Sequence, residues 1–269
     1  MGTTPKVDSE RFHGEAQKYA AYLETPEGRL RLDLALANLQ EFLPLSAAKD
    51  SLRILDVGCG TGAIAVRLAR LGLHVTLLDS SQAMLDIAKR ASQDAGVDEK
   101  IALQLGDAVQ LASIFHSQSF DVILCHNTLE YVDDPGIVLR DAARIMRDSS
   151  AVISILVRNR AGEVLKAAIH AGDLPAAEKT LSSEWGEESL YGGPVRLFTL
   201  DALQLLLKSV SLRAIAERGV RVVSDYLPSK VPRSVEYDRI LELERKLGKL
   251  PEFAAVARYT HCLARCLSC

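Results

Sequence analysis

Residues 53–62, Arg-Ile-Leu-Asp-Val-Gly-Cys-Gly-Thr-Gly, decide the fold. Ile54, Leu55 and Val57 supply the apolar run of a buried parallel strand. The run ends in three glycines on alternate positions, Gly58, Gly60 and Gly62. Residues 63–71 follow as a helix with Ile64, Leu68 and Leu71 on one face. Strand, glycine turn and helix in that order let a backbone come close to a bound nucleoside. A dinucleotide site favours G-x-G-x-x-G, with a helix N-terminus aimed at a pyrophosphate. Here the third glycine comes one residue too early for that pattern, which disfavours an NAD-dependent oxidoreductase. An acidic residue, Asp56, sits two places before the first glycine.

The next elements keep the same rhythm. Residues 74–78 read as a strand ending in Asp79, followed by Ser80, Ser81 and a helix bearing Met84, Leu85, Ile87 and Ala88. An acid at the end of a second strand, some twenty residues beyond the turn, can accept hydrogen bonds from both hydroxyls of a ribose. Asp and Ser are also the preferred helix caps, and the two roles are compatible. A third strand, 101–105, runs into Gly106-Asp107-Ala108. A fourth, within 120–127, ends in His126 and Asn127 at the carboxyl edge of the sheet, where open α/β folds bind ligands. His126 is a candidate cofactor contact and a candidate general base. Asp133-Asp134-Pro135 opens the next helix with proline at an early position. With a fifth strand at 151–157, the alternation predicts an α/β, doubly wound sheet.

Residues 55–62, Leu-Asp-Val-Gly-Cys-Gly-Thr-Gly, resemble motif I of the class I S-adenosylmethionine-dependent methyltransferases. The resemblance implies a Rossmann-like, seven-stranded, mostly parallel sheet carrying N-terminal helices and a helical lid insertion. It implies S-adenosylmethionine as cofactor and no metal. Asp56, Gly58, Cys59 and Gly60 are then expected along the methionine end and ribose, with Asp79 and Ser80 at the ribose. Asp107 and the backbone of Ala108 would hold the adenine edge, and His126 would shape the floor.

Length and composition agree with a globular enzyme. The chain has 269 residues, 48% hydrophobic and 25% charged, with a net charge of −3 and pI ≈ 6.1. No apolar run approaches the ~18 residues of a membrane span, and the first residues lack the apolar core of a signal peptide, so a cytoplasmic location and no membrane partner are expected. Five cysteines make no secreted framework. Cys262, Cys266 and Cys269 have the spacing C-x3-C-x2-C, known from cluster-binding radical enzymes. Cys262 falls inside a predicted strand (257–263), so buried or incidental thiols are the expectation.

The expected organisation is a helical cap at 1–50, with helices at 10–23 and 28–43. The cofactor-binding core spans 51–158. A lid insertion covers 159–198, and 199–269 completes the sheet and the acceptor site. Trp185 in the lid reads as a packing anchor or a stacking surface. From residue 212 onward the chain resembles one group, the bacterial methyltransferases that esterify 5-carboxymethoxyuridine at the tRNA wobble position. The matching stretches are Gly219-Val220-Arg221-Val222, Asp225-Tyr226-Leu227, 237–244 and Arg258-Tyr259-Thr260-His261-Cys262. Upstream, Gly28-Arg29-Leu30-Arg31 and His126-Asn127-Thr128-Leu129-Glu130-Tyr131-Val132 also match. In that group the arginine corresponding to Arg31 touches the cofactor.

Two departures bear on the acceptor. The lid has Lys179 amid Glu178, Glu184, Glu187 and Glu188, where the tRNA enzymes tend to carry lysines, and the whole chain is mildly acidic. Affinity for nucleic acid comes largely from neutralised phosphates. A tRNA acceptor therefore needs Arg158, Arg160, Arg196, Arg218, Arg221 and Arg258 to gather locally. Two acceptors stay open: a tRNA carboxylate, or a small metabolite or natural product methylated on oxygen, nitrogen or carbon. A carboxylate is ionised at neutral pH and needs no base, only alignment and a cation. Arg221, Tyr226 and Arg258 are the candidates for that orientation. A carbon, phenol or amine acceptor would call for His126 or a tyrosine as base. The sequence leaves oligomeric state open.

Overall fold

A computed structural model describes residues 11–43, 52–190 and 192–267. The expected helix start at Glu10 and the terminal Cys269 lie outside the described residues. Strands β1 (Arg53–Val57), β2 (His74–Asp79), β3 (Ile101–Leu105), β4 (Val122–His126) and β5 (Val152–Arg158) are mutually parallel. A short hairpin, β6 (Trp185–Glu187) and β7 (Pro194–Arg196), stands apart from them. Strand β8 (Leu212–Val220) and the antiparallel β9 (Tyr259–Cys266) complete a seven-stranded sheet in the order β3-β2-β1-β4-β5-β9-β8. Strand order reverses between β1 and β4, which opens a crevice at their carboxyl ends.

The alternation of β1 explains the two-faced core. Leu55 and Val57 point into one apolar layer with Ile123, Ile153 and Ile155. Helices Pro135–Ile145 and Leu200–Ser209 cover that layer through Leu139, Ala142, Leu203 and Leu207. Ile54 points the other way, with Val122, Leu124 and Leu156, beneath helices Pro26–Gln40, Ala63–Arg70 and Gln82–Asp94. Because both faces are covered, the strands read as continuous apolar runs.

Local punctuation fixes the helix starts. Thr25, Ser81, Asp134 and Thr199 accept backbone N–H groups at four N-termini, each contributing about 1 kcal/mol. The first expected helix is broken at Glu15 into Arg11–Gly14 and Ala16–Glu24, and the second starts at Pro26 under the Thr25 cap rather than at residue 28. The segment 159–198 holds α-helices Arg160–Leu165 and Leu174–Leu181, a π-helical stretch Lys166–His170 between them, and the hairpin, whose strands the sequence did not predict. The strand expected at 257–263 runs instead from Tyr259 to Cys266. Its Cys262 is fully buried, with the thiol pushed up to about 12 by burial and then by Glu217. Cys262 and Cys266 both face the apolar layer under helix Pro135–Ile145. Among the described residues no group of His, Cys, Asp or Glu is placed to hold a metal ion, and no helix is long and apolar enough to cross a membrane.

Candidate active site

A cavity of about 290 Å³ opens at the carboxyl ends of β1, β2 and β4. One half is built by the glycine turn. Gly58 (φ 66°) and Gly60 (φ 54°) line it in the left-handed region, which costs a side chain but not glycine. A Cβ at Gly58 would lie 2.5 Å from Thr128 Oγ1, and one at Gly60 would lie 3.0 Å from the Tyr19 ring. Both glycines are therefore needed by the folded chain itself. Asp79 ends β2 with Oδ2 accepting from Gly60 N (2.8 Å) and Oδ1 from Ser81 N (2.9 Å). Ser80, Met84, Asp107 and Ala108 continue the same wall. Cys59 does not reach this cavity; it is buried behind the turn. Asp56 also lies behind the turn, with Oδ2 buried and lacking a hydrogen-bond partner among the described residues. Burial, and then Asp79, push its carboxyl up to about 8.

The other half is cationic. Arg31 (helix Pro26–Gln40), Arg158 (end of β5), Arg221 (after β8) and Arg258 (before β9) all line the cavity and are buried. They gather around Tyr259, whose ring centroid lies 5.7 Å from the guanidinium carbon of Arg31, 5.9 Å from that of Arg221 and 5.8 Å from that of Arg258. Burial alone would raise the Tyr259 phenol, but Arg158, Arg31, Arg221 and Arg258 together bring it down to about 8. Three carboxylates hold the guanidinium groups. Arg221 Nε donates to Asp225 Oδ1 at 2.8 Å, and Arg258 Nε lies 3.6 Å from Asp225 Oδ2. Glu163 pairs with Arg158 (3.0 Å) and with Arg258. Glu188, directly after β6, pairs with Arg158 and accepts from the Tyr131 hydroxyl at 2.8 Å. A fourth buried acid, Glu130, accepts from the backbone N–H of Arg158 at 2.9 Å, and Lys166 adds a further cation to the lining.

Arg221 is held in a strained conformation. Its φ of 61° lies in the left-handed region, disfavoured for a residue with a side chain. The fully buried Glu244 enforces it, accepting from the backbone N–H groups of Val222 (2.5 Å), Val223 (3.0 Å) and Ser224 (2.7 Å). His126 lines the cavity, and burial, then His261 and Arg31, drive its pKa well below the ordinary value, so the ring is neutral. Tyr226 does not line the cavity; its hydroxyl donates to the Gly162 carbonyl at 3.3 Å. Trp185 is outside it too, stacked under Arg196 at 4.6 Å as a packing anchor.

A methyltransferase-domain family profile matches residues 48–194. The chain belongs to the S-adenosylmethionine-dependent methyltransferases. Over 96% of its length and 97% of the relative's, it is 28% identical to the tRNA 5-carboxymethoxyuridine methyltransferase of Escherichia coli K12. It is 32% identical to the ubiquinone biosynthesis O-methyltransferase of Proteus mirabilis, over 40% of this chain and 43% of that one. Among solved structures, a methyltransferase of Thermotoga maritima, described as a possible histamine N-methyltransferase, superposes with a TM-score of 0.63. At 16% identity, over 96% and 98% of the two chains, that likeness shows the fold alone.

The residues present fit the methyltransferase cofactor. The unpartnered Asp56 oxygen lies behind a turn whose two glycines open onto the cavity, and the cofactor's methionine end carries an ammonium. Asp79, Asp107 and Ala108 offer acceptors along the same wall. The sequence missed Arg158, Glu163, Glu188 and Tyr259 as site residues. Arg158 enters the sequence reading only among the six arginines that a tRNA acceptor would need to gather, and Glu188 only as one of the acids of 159–198. Arg160, Arg196 and Arg218 do not join the cluster.

Proposed function

We propose that this methyltransferase esterifies an ionised carboxylate, that of 5-carboxymethoxyuridine in tRNA. The observation that carries the reading is the buried quartet Arg31, Arg158, Arg221 and Arg258 around Tyr259. Planar guanidinium groups match carboxylates, and a low-dielectric setting strengthens the attraction. The near full-length likeness to the E. coli tRNA enzyme supports that acceptor.

Bound S-adenosylmethionine supplies an electrophilic methyl group on sulfur. Arg31, Asp56, Gly58, Gly60, Asp79, Ser80, Asp107, Ala108 and His126 hold that cofactor. Arg221 and Arg258 orient the acceptor carboxylate, while Phe12, Tyr131 and Val132 exclude water from the cavity they line. No residue has to remove a proton, because the acceptor arrives ionised. Alignment of this kind is worth up to about 7–11 kcal/mol. Residues 159–198 act as a lid over the site, with Glu188 seated on Arg158 in the closed state, and 199–269 bring in the acceptor groups.

A second reading, a small carboxylic acid as acceptor, is favoured by one observation. The cations are buried among carboxylates, while phosphate contacts call for exposed charge. One experiment separates the two. Labelled cofactor is incubated with tRNA that carries or lacks the carboxymethoxy group, and separately with an extract of small acids. The reading expects label only in the carboxymethoxy tRNA; label only in the extract would replace it with the second.

A further inference from the structure

Behind His126 a buried polar chain leaves the cavity and crosses the sheet. His126 Nε2 lies 2.8 Å from Ser154 Oγ on β5, and that oxygen lies 2.7 Å from His261 Nε2 on β9. His261 Nδ1 lies 3.2 Å from Asn38 Nδ2 on helix Pro26–Gln40. Ser154 and His261 are fully buried and Asn38 nearly so. The two imidazoles meet edge to face, with centroids 5.2 Å apart at 85°.

The chain has a single direction. An amide nitrogen donates and never accepts, so Nδ1 of His261 is the acceptor. A neutral imidazole that accepts at Nδ1 carries its proton on Nε2, and that proton goes to Ser154. The serine oxygen is then an acceptor toward His261, and its single proton points to Nε2 of His126. His126 is left with its proton on Nδ1 and its lone pair engaged by a hydroxyl.

We propose that Asn38, His261 and Ser154 are positioning residues that lock His126 as the Nδ1–H tautomer, making it a hydrogen-bond donor in the methyl-transfer site with no free lone pair to act as a base. Both rings are uncharged. Burial and then Arg218 bring His261 down to about 3, and His126 is likewise depressed by burial and its neighbours. An acceptor that had to lose a proton would gain nothing from His126. The inference rests on the hydrogen-bond chain and holds whichever acceptor the site takes.

Long-range proton–nitrogen NMR on the full chain, labelled with ¹⁵N-histidine, reads the tautomer directly. The His126 signals are assigned by their loss in His126→Gln. The expected result at neutral pH is a protonated-type Nδ1 and a bare-type Nε2 for His126, with the reverse pattern for His261. A protonated Nε2 on His126, or protons on both of its nitrogens, overturns the proposal. In Ser154→Ala the bias on His126 is expected to disappear while His261 keeps its proton on Nε2. An unchanged His126 pattern in that variant also overturns it. If the alanine variant does not fold, the wild-type spectrum decides alone.

Discussion

At the residue scale the site turns on Tyr259, which sits among four guanidinium groups with its phenol brought down to about 8. Below that pH the ring is neutral and sets no negative charge against an acceptor carboxylate. Above it the phenolate competes for the same charges. The acceptor kcat/KM is therefore expected to fall as pH rises through about 8, and Tyr259→Phe should abolish the fall while leaving acceptor binding near neutral pH intact; a pH–rate profile checks this. Asp56 gives a second test. Its folded pKa, about 8, stands above its ordinary value of 3.8, so its contribution to stability is full at low pH and is lost as pH rises through the folded value. The Tm advantage of Asp56→Asn over wild type, without cofactor, should therefore grow between about pH 5 and pH 8. Asp56, Gly58 and Asp79 were legible in the sequence because their meaning is local: fixed offsets from one strand end. Tyr259 and Glu163 were not, because they acquire their role only when β5, β9 and helix Arg160–Leu165 are brought together.

At the scale of elements, two buried acids tie separate segments to the arginine cluster. Glu244 lies on helix Tyr237–Leu247 and ties down the strained turn at Arg221 through three backbone N–H groups. Glu244→Gln should cost about 2–4 kcal/mol by weakening these charge-assisted bonds. At roughly 2–4 °C per kcal/mol for a chain of this size, a clear drop in Tm is expected in thermal unfolding. The β6–β7 hairpin carries Glu188, which the sequence reading counted with Glu178, Glu184 and Glu187 as the acids around Lys179. Its carboxylate is buried on Arg158 instead, so it does not repel an anionic acceptor from the surface. Glu188→Gln should unlatch the hairpin, seen as faster amide hydrogen exchange across 185–196; unchanged exchange would show that the hairpin is held by something else. Hydrophobic periodicity predicted the core strands and helices well. It could not foresee β6 and β7, which at three residues each are too short to show a period-two pattern.

At the scale of the whole molecule, the five parallel strands follow from chain alternation and right-handed crossovers, so the doubly wound class was readable from pattern. The count of seven rested on the family resemblance, and the antiparallel β9 between β5 and β8 leaves no such signal. Charge distribution was not readable. The arginines weighed as a surface patch divide into a buried cluster and outliers paired elsewhere, on a chain of net charge −3. Few phosphates can then be neutralised, so the salt dependence of tRNA methylation should be shallow, with a log–log slope of about 2 and not the 6 or more of a strongly basic binder. The central claim is that this cluster holds a carboxylate for methylation. The most direct test is to treat the labelled tRNA product with mild alkali. A methyl ester formed at the cluster releases its label as methanol, and the account predicts nearly complete release, with little label incorporated by Arg221→Ala or Arg258→Ala. Label that survives alkali would mean methylation on another oxygen, a nitrogen or a carbon, and would contradict it.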